Sequence, residues 1–182
     1  MENYYLRHYT SKNKTHQKTH HLWLVRGGLQ PGVIDNVTEL FTLRYCHVKK
    51  EDESIITDIL CQENDGSKMY FKDYDVFKKL LLDVCDFLNS GKELNKKIGK
   101  FYISEFRYEN TLTKEKTYTL NLIKTNIKTK NNTRENSGGF INSENGDVSI
   151  FDINCFGYKM KLSRKRLLQQ ICNALNEGAI TF

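Results

Sequence analysis

Residues 78–91 read KKLLLDVCDFLNSG, and residues 165–178 read KRLLQQICNALNEG. Seven positions are identical: Lys78/Lys165, Leu80/Leu167, Leu81/Leu168, Cys85/Cys172, Leu88/Leu175, Asn89/Asn176 and Gly91/Gly178. Lys79/Arg166 and Val84/Ile171 are conservative. Upstream, SIITDILC (54–61) aligns with SIFDINC (149–155) across a small gap, and KMYF (68–71) with KMKL (159–162). A period near 90 residues is too long for a solenoid, whose units run about 20–50 residues. It describes a duplicated half-domain.

Each copy ends in a helix. Phe77, Leu80, Leu81, Val84, Cys85 and Leu88 fall on one face of a 3.6-residue period. Asp73 or Asp75 is placed to cap its start, and Gly91 its end. In the second copy Ser163 takes the cap position. Leu167, Leu168, Ile171, Cys172 and Leu175 form the apolar face, and Gly178 closes it.

Strand signals precede each helix. In the first copy they are LWLVR (22–26), ELFTLRYCHV (39–48), SIITDILCQ (54–62) and KMYF. In the second they are FYISEFRYEN (101–110), TYTLNLIKTNIKT (117–129), DVSIFDINCF (147–156) and YKMKL (158–162). The expected fold is α+β: two pseudo-symmetric ββββα repeats, each an antiparallel sheet closed by one helix. Expected boundaries are a flexible basic arm over 1–21, repeats over 22–91 and 100–182, and a linker over 92–99. A mobile polar loop is expected over 131–146.

Composition narrows the function. The 182 residues are 38% hydrophobic and 12% aromatic, enough for a core. No apolar run approaches the roughly 20 residues of a membrane span, and the N-terminus lacks a secretory h-region. An intracellular protein, cytoplasmic or in the nucleoid or nucleus, is expected. Five cysteines without a CxxC spacing suit small core sites better than zinc or disulfides. The net charge of +6 is uneven. Residues 92–182 carry +7 and the first 21 carry +3, while 22–91 carry −4. That asymmetry fits a polyanionic partner, or a solvated lysine-rich surface.

No GxSxG, P-loop, HExxH, GxGxxG or EF-hand pattern occurs, so no enzymatic activity is expected. His16, His20 and His21 cluster, but their flanks lack an apolar stripe and no metal site is expected. No cofactor is implied. The strand over 101–110 sets Phe101, Ile103, Glu105 and Arg107 opposite Tyr102, Ser104, Phe106 and Tyr108. Aromatics on both faces are unusual where one face meets water. They serve either as stacking platforms for unpaired bases or as packing against another sheet. SRKR (163–166) puts three cations in the expected first helical turn, against the dipole, which an anion docking there would explain.

KFYISEFRYEN (100–110) is similar to the opening strand of a PUR repeat. KMYF and KMKL resemble the short strand before the helix in PUR repeats, Whirly proteins and related transcriptional coactivators. TLTKEKTYTL replaces the glycine-arginine-phenylalanine turn of PUR repeats, and the Whirly lysine-glycine-lysine-alanine motif is absent. The resemblance implies sheet surfaces that bind single-stranded DNA or RNA, and helix swapping between repeats or subunits of a homodimer or larger oligomer. The nucleic-acid residues expected on this basis are Arg26, Arg44, Lys100, Tyr102, Arg107, Tyr108, Lys116, Tyr118, Lys124, Lys128, Arg164, Lys165 and Arg166. The competing class is a protein–protein interaction module without nucleic-acid activity.

Overall fold

A computed structural model of the chain describes residues 3–12, 18–27, 54–62, 72–125 and 147–182. The expected strand over 39–48, the KMYF strand, the polar loop over 131–146, and Arg44, Cys46, Lys128 and His16 lie outside these residues. The protein is α+β, with two sheets and two helices among the described residues, and the chain divides into two compact units. The first unit covers residues 1–92 with Phe182, and the second covers 93–181. Among the described residues, no helix is long and apolar enough to cross a membrane.

The first unit holds β1 (Tyr4–Lys12), β2 (Lys18–Arg26), β3 (Ser54–Gln62), β4 (Lys72–Asp73) and α1 (Tyr74–Asn89). β1, β2 and β3 are antiparallel in that order, and the two-residue β4 joins β3 in parallel. The sequence stretch expected to be a flexible arm is therefore β1 and the start of β2. The reason lies in the period. Tyr4, Leu6 and His8 alternate with Tyr5, Arg7 and Tyr9, and all but Tyr9 are buried. The histidines act as buried rings here rather than as solvated polar groups. His8 Nε2 and His20 Nδ1 are 2.8 Å apart, and the Tyr74 ring lies 4.4 Å from that of His20.

α1 starts as the sequence indicates. The Asp73 carboxylate accepts from Val76 N–H at 3.1 Å, and Gly91 has φ +67°. Phe77, Leu80, Leu81, Val84 and Cys85 are buried. At its end, the Asn89 amide clamps the start of β1. It accepts from Tyr4 N–H at 2.7 Å and donates to Tyr4 C=O at 2.7 Å.

The second unit holds β5 (Phe101–Glu109), β6 (Lys116–Lys124), β7 (Val148–Phe156) and α2 (Tyr158–Glu177). It has a three-stranded antiparallel sheet in the order β5-β6-β7. The expected fourth strand, YKMKL, is instead the first turn and a half of α2. Tyr158, Met160 and Leu162 alternate like a strand. However, Gly157, with φ +91°, turns the chain out of β7 in one residue. Tyr158, Lys161 and Arg164 then continue the helical face of Leu168, Ile171 and Leu175. Ser163 consequently sits inside α2 and caps nothing; Gly157 is at the cap position and supplies no side-chain hydrogen bond.

α2 covers Leu120, Leu122, Phe151 and Ile153, all 2% exposed or less. Its Asn176 clamps β5 much as Asn89 clamps β1. Asn176 accepts from Phe101 N–H at 3.0 Å and donates to the carbonyls of Phe101 at 2.9 Å and Lys97 at 3.0 Å. The expected linker is tied down on α2 as well. Gln170 and Asn173 together take up the N–H and C=O of Leu94. Gly99 passes so close that a methyl group there would overlap the Asn176 amide.

Both sheets carry a β-bulge at matching places. Ile56 is the extra residue opposite Leu24/Val25, and Ile150 the extra residue opposite Leu122/Ile123. Both are buried. Cys61, Cys85, Cys155 and Cys172 are free and buried. Burial pushes the thiols of Cys61 and Cys85 up to about 12 and that of Cys172 to about 11. Burial also raises Cys155.

Candidate nucleic-acid interface

Alternation divides β5 between a helix-covered face and an open one. Phe101, Ile103, Glu105 and Arg107 share the α2 side with Tyr118, Leu120 and Leu122 of β6 and with Phe151, Ile153 and Cys155 of β7. The opposite face is built in rows across the ladder. Tyr108, Thr117 and Phe156 form the outermost row, and Phe106, Thr119 and Asn154 the next. Thr119 Oγ1 donates to Asn154 Oδ1 at 3.1 Å. Deeper rows close up, with Ser104, Asn121 and Ile123 buried.

The outer end of this face presents three rings to solvent. Phe156 is 74% exposed, Tyr108 56% and Phe106 39%. Phe106 and Tyr108 are two residues apart on one strand, about 7 Å, and Phe156 is two strands away, about 10 Å from Tyr108. The β5–β6 turn completes this end. Asn110 Oδ1 accepts from Leu112 N–H at 2.9 Å and Thr113 N–H at 3.1 Å, leaving Leu112 exposed at the tip. Lys114, Lys116 and Lys159 lie at the same end, together with Glu109 and Glu115. On the corresponding face of the first unit the deeper rows are likewise buried, while Ser11 and Asp58 nearer the sheet end are exposed. Tyr5, Trp23 and Val25 form a buried cluster with Tyr9 and Ile55 against it.

The expected residues do not converge on one surface. Tyr108 on the open face and Arg107 and Lys116 on the α2 side lie near the same sheet end, with Arg107 paired to Glu109 at 2.9 Å. Tyr102 is half-buried and donates to Asp147 Oδ2 at 3.2 Å. Tyr118, expected to stack bases, is on the α2 side and buried, with the Lys161 ammonium 5.3 Å from its ring. Lys124 lies over Phe101 at 5.9 Å. Lys100 is exposed just before β5, and Arg26 is half-buried at the end of β2 in the other unit. Phe106 and Phe156 were not among the expected residues. Alternation along β5 does place Phe106 beside Tyr108. Phe156 becomes legible only once Cys155 is known to face α2.

The basic cluster also changes meaning. Because α2 begins at Tyr158, Arg164, Lys165 and Arg166 lie in its second and third turns rather than against the dipole at its start. Arg164 is buried, and Arg166 is exposed. Lys165 reaches Glu105 Oε2 at 2.7 Å while Lys161 reaches Oε1 at 2.6 Å. Through Glu105, Lys161 and Lys165 tie the helix to the sheet.

Burial alone would raise the Glu105 carboxyl, but hydrogen bonds from Lys161 and Lys165 outweigh it and hold the group below its ordinary value. The hydrogen bond to Glu105 correspondingly raises Lys161. A depressed carboxylate stabilises the fold fully above the unfolded value, about 4.3, and that contribution fades as pH falls through the folded value. For a partly exposed pair the contribution is about 1 kcal/mol, or about 4 °C in Tm. Thermal melts between pH 7 and 3 are expected to show Glu105→Gln lowering the melting temperature at neutral pH. The difference from the parent protein should vanish toward pH 3, and a constant offset would exclude this bridge as its source.

No protein-family model matches the sequence, and no curated protein or solved structure matches it either.

Proposed function

We propose that the chain is a duplicated sheet-and-helix protein that binds single-stranded nucleic acid through the open end of its second unit. The duplication is supported by more than the fourteen-residue match. The two asparagine clamps, the two bulges and the register of Cys61 with Cys155 all occupy matching places. In support, β3 and β7 have equal lengths with Cys61 and Cys155 at the same position in each, so the match can be written without a gap. On this reading the unit shared among the described residues is βββα, with β4 described in the first.

The observation that carries the binding reading is the exposed trio of Phe106, Tyr108 and Phe156 on one sheet face. Flat rings of this kind stack on unpaired bases at about 1–3 kcal/mol each, and the nearby lysines are placed to follow phosphates. Duplex bases are already stacked and offer the rings nothing. Fluorescence anisotropy with labelled oligonucleotides at low salt is expected to give at least about tenfold tighter binding to single strands than to duplex. Equal affinity would reduce the interaction to bulk electrostatics.

One observation favours a protein partner instead. Leu112 is 91% exposed and Tyr158 59%, so the aromatic end has an apolar border. A protein docked there would hold its affinity as salt rises, whereas phosphate contacts would lose it steeply.

A further inference from the structure

We infer that Ser11, His21 and Asp58 form a nucleophile relay on the first unit, able to take an acyl group from a small activated ester. This is independent of the nucleic-acid reading, which concerns the other unit. Ser11 Oγ lies 3.0 Å from His21 Nε2, and His21 Nδ1 lies 3.3 Å from Asp58 Oδ2. Each ring nitrogen therefore faces the group that a serine nucleophile requires. An Nδ1–H held by the carboxylate leaves the Nε2 lone pair to accept the serine proton.

The sheet register builds this arrangement. Tyr9 is directly opposite His21, so Ser11 is the diagonal neighbour of the histidine on the same face. Asp58 is opposite Trp23, and so lies diagonally from His21 on the other side. Three adjacent strands thus contribute one group each. The imidazole is fixed from behind. It stacks on Tyr9 at 4.1 Å with an interplanar angle of 10°, and Tyr9 in turn meets the Trp23 ring edge-on at 4.7 Å. Burial first, then the Asp58 charge, raises the Tyr9 phenol, so the stacking partner stays neutral. His20, adjacent in sequence, points to the other face of β2 and pairs with His8, which splits the sequence cluster of histidines into two separate roles.

Ser11 is exposed near the end of β1, the outermost strand of its sheet among the described residues, which suits a small acyl donor. In the proposed step, Oγ forms a bond to the acyl carbon as its proton passes to His21 Nε2. The carbon–oxygen bond to the leaving alcohol breaks, and the alcohol takes that proton. Water then attacks the acyl-serine through the same base and releases the acid. Asp58 is partly exposed, and the described residues show no converged pair of donors for the developing oxyanion. Losing a single such donor costs about 10²–10³ in rate, so slow turnover of activated esters is expected.

The test uses the full chain with a fluorophosphonate probe, whose fluoride leaves as Ser Oγ bonds to phosphorus, and with p-nitrophenyl acetate. The expected result is one adduct per chain mapped to Ser11, and a burst of about one equivalent of nitrophenol. His21→Gln is expected to slow labelling about 10²-fold, with Asp58→Asn in the same direction. Unchanged circular dichroism would separate this loss from misfolding. As a second readout, Ser11→Cys should give a thiol whose alkylation slows when His21→Gln is added. No adduct on Ser11, or labelling and alkylation rates indifferent to His21 and Asp58, would overturn the proposal and leave the three groups as cross-strand hydrogen bonds.

Discussion

Replacing Phe106, Tyr108 and Phe156 together by threonine is expected to weaken single-strand binding about 10²-fold or more. Each exposed ring contributes about 1–3 kcal/mol by stacking, and even the low end of that range for three rings gives about 3 kcal/mol. Threonine retains strand propensity, so the sheet should be undisturbed. All three rings leave solvent-facing positions, and melting should shift little. The salt slope should stay the same, because no phosphate contact has been removed. That combination of lost affinity with constant slope is what stacking predicts. Full retention of affinity by the triple variant would move the interface elsewhere on the chain or end the nucleic-acid reading. Lost affinity for a protein partner from a pull-down, with no oligonucleotide bound by the parent chain, would select the apolar border as the functional feature.

Asn176→Ala should produce the larger effect on stability. One side chain accepts from Phe101 N–H and donates to the carbonyls of Phe101 and Lys97. Alanine removes all three bonds, leaving the Phe101 C=O with the Cys172 thiol at 3.3 Å and the Phe101 N–H and Lys97 C=O without the amide. Leaving part-buried groups unsatisfied costs about 1–3 kcal/mol each where water cannot reach them. Partial access to solvent brings the expected total to about 2–4 kcal/mol. Denaturant titration followed by circular dichroism should show the second unit unfolding earlier. Asn89→Ala should do less, since that amide holds only the N–H and C=O of Tyr4. A wild-type midpoint for Asn176→Ala would mean that the clamp is dispensable and that the identity of Asn89 and Asn176 has another origin.

Much of this architecture was legible along the chain. The paired endings located both helices, and Asp73, Gly91 and the Phe77–Cys85 periodicity defined α1. Strands β5, β6 and β7 followed from alternation. What failed did so for local reasons. Tyr158, Met160 and Leu162 imitate a strand over five residues, too short a stretch for the two periods to be told apart. β1 was hidden because its alternation includes His8 and Arg7, residues usually solvated but buried here. The candidate sites were less legible than the fold. Tyr118 and Tyr108 look alike in sequence, yet one faces α2 and the other water. Ser11 and Asp58 belong to different strands, and only the sheet register brings both to His21.

The four described thiols give the molecule a built-in clock for each half. Cys61 and Cys85 belong to the first unit and Cys155 and Cys172 to the second, all free and buried. With Cys46 replaced, a thiol reagent can modify these side chains only during an opening event. Where closing is faster than reaction, the labelling rate at each site reports the free energy of that opening. The two halves can therefore be timed separately in one unlabelled sample, with the site of modification read by mass. Different opening rates at the two pairs of thiols would show how far the two units differ in local stability.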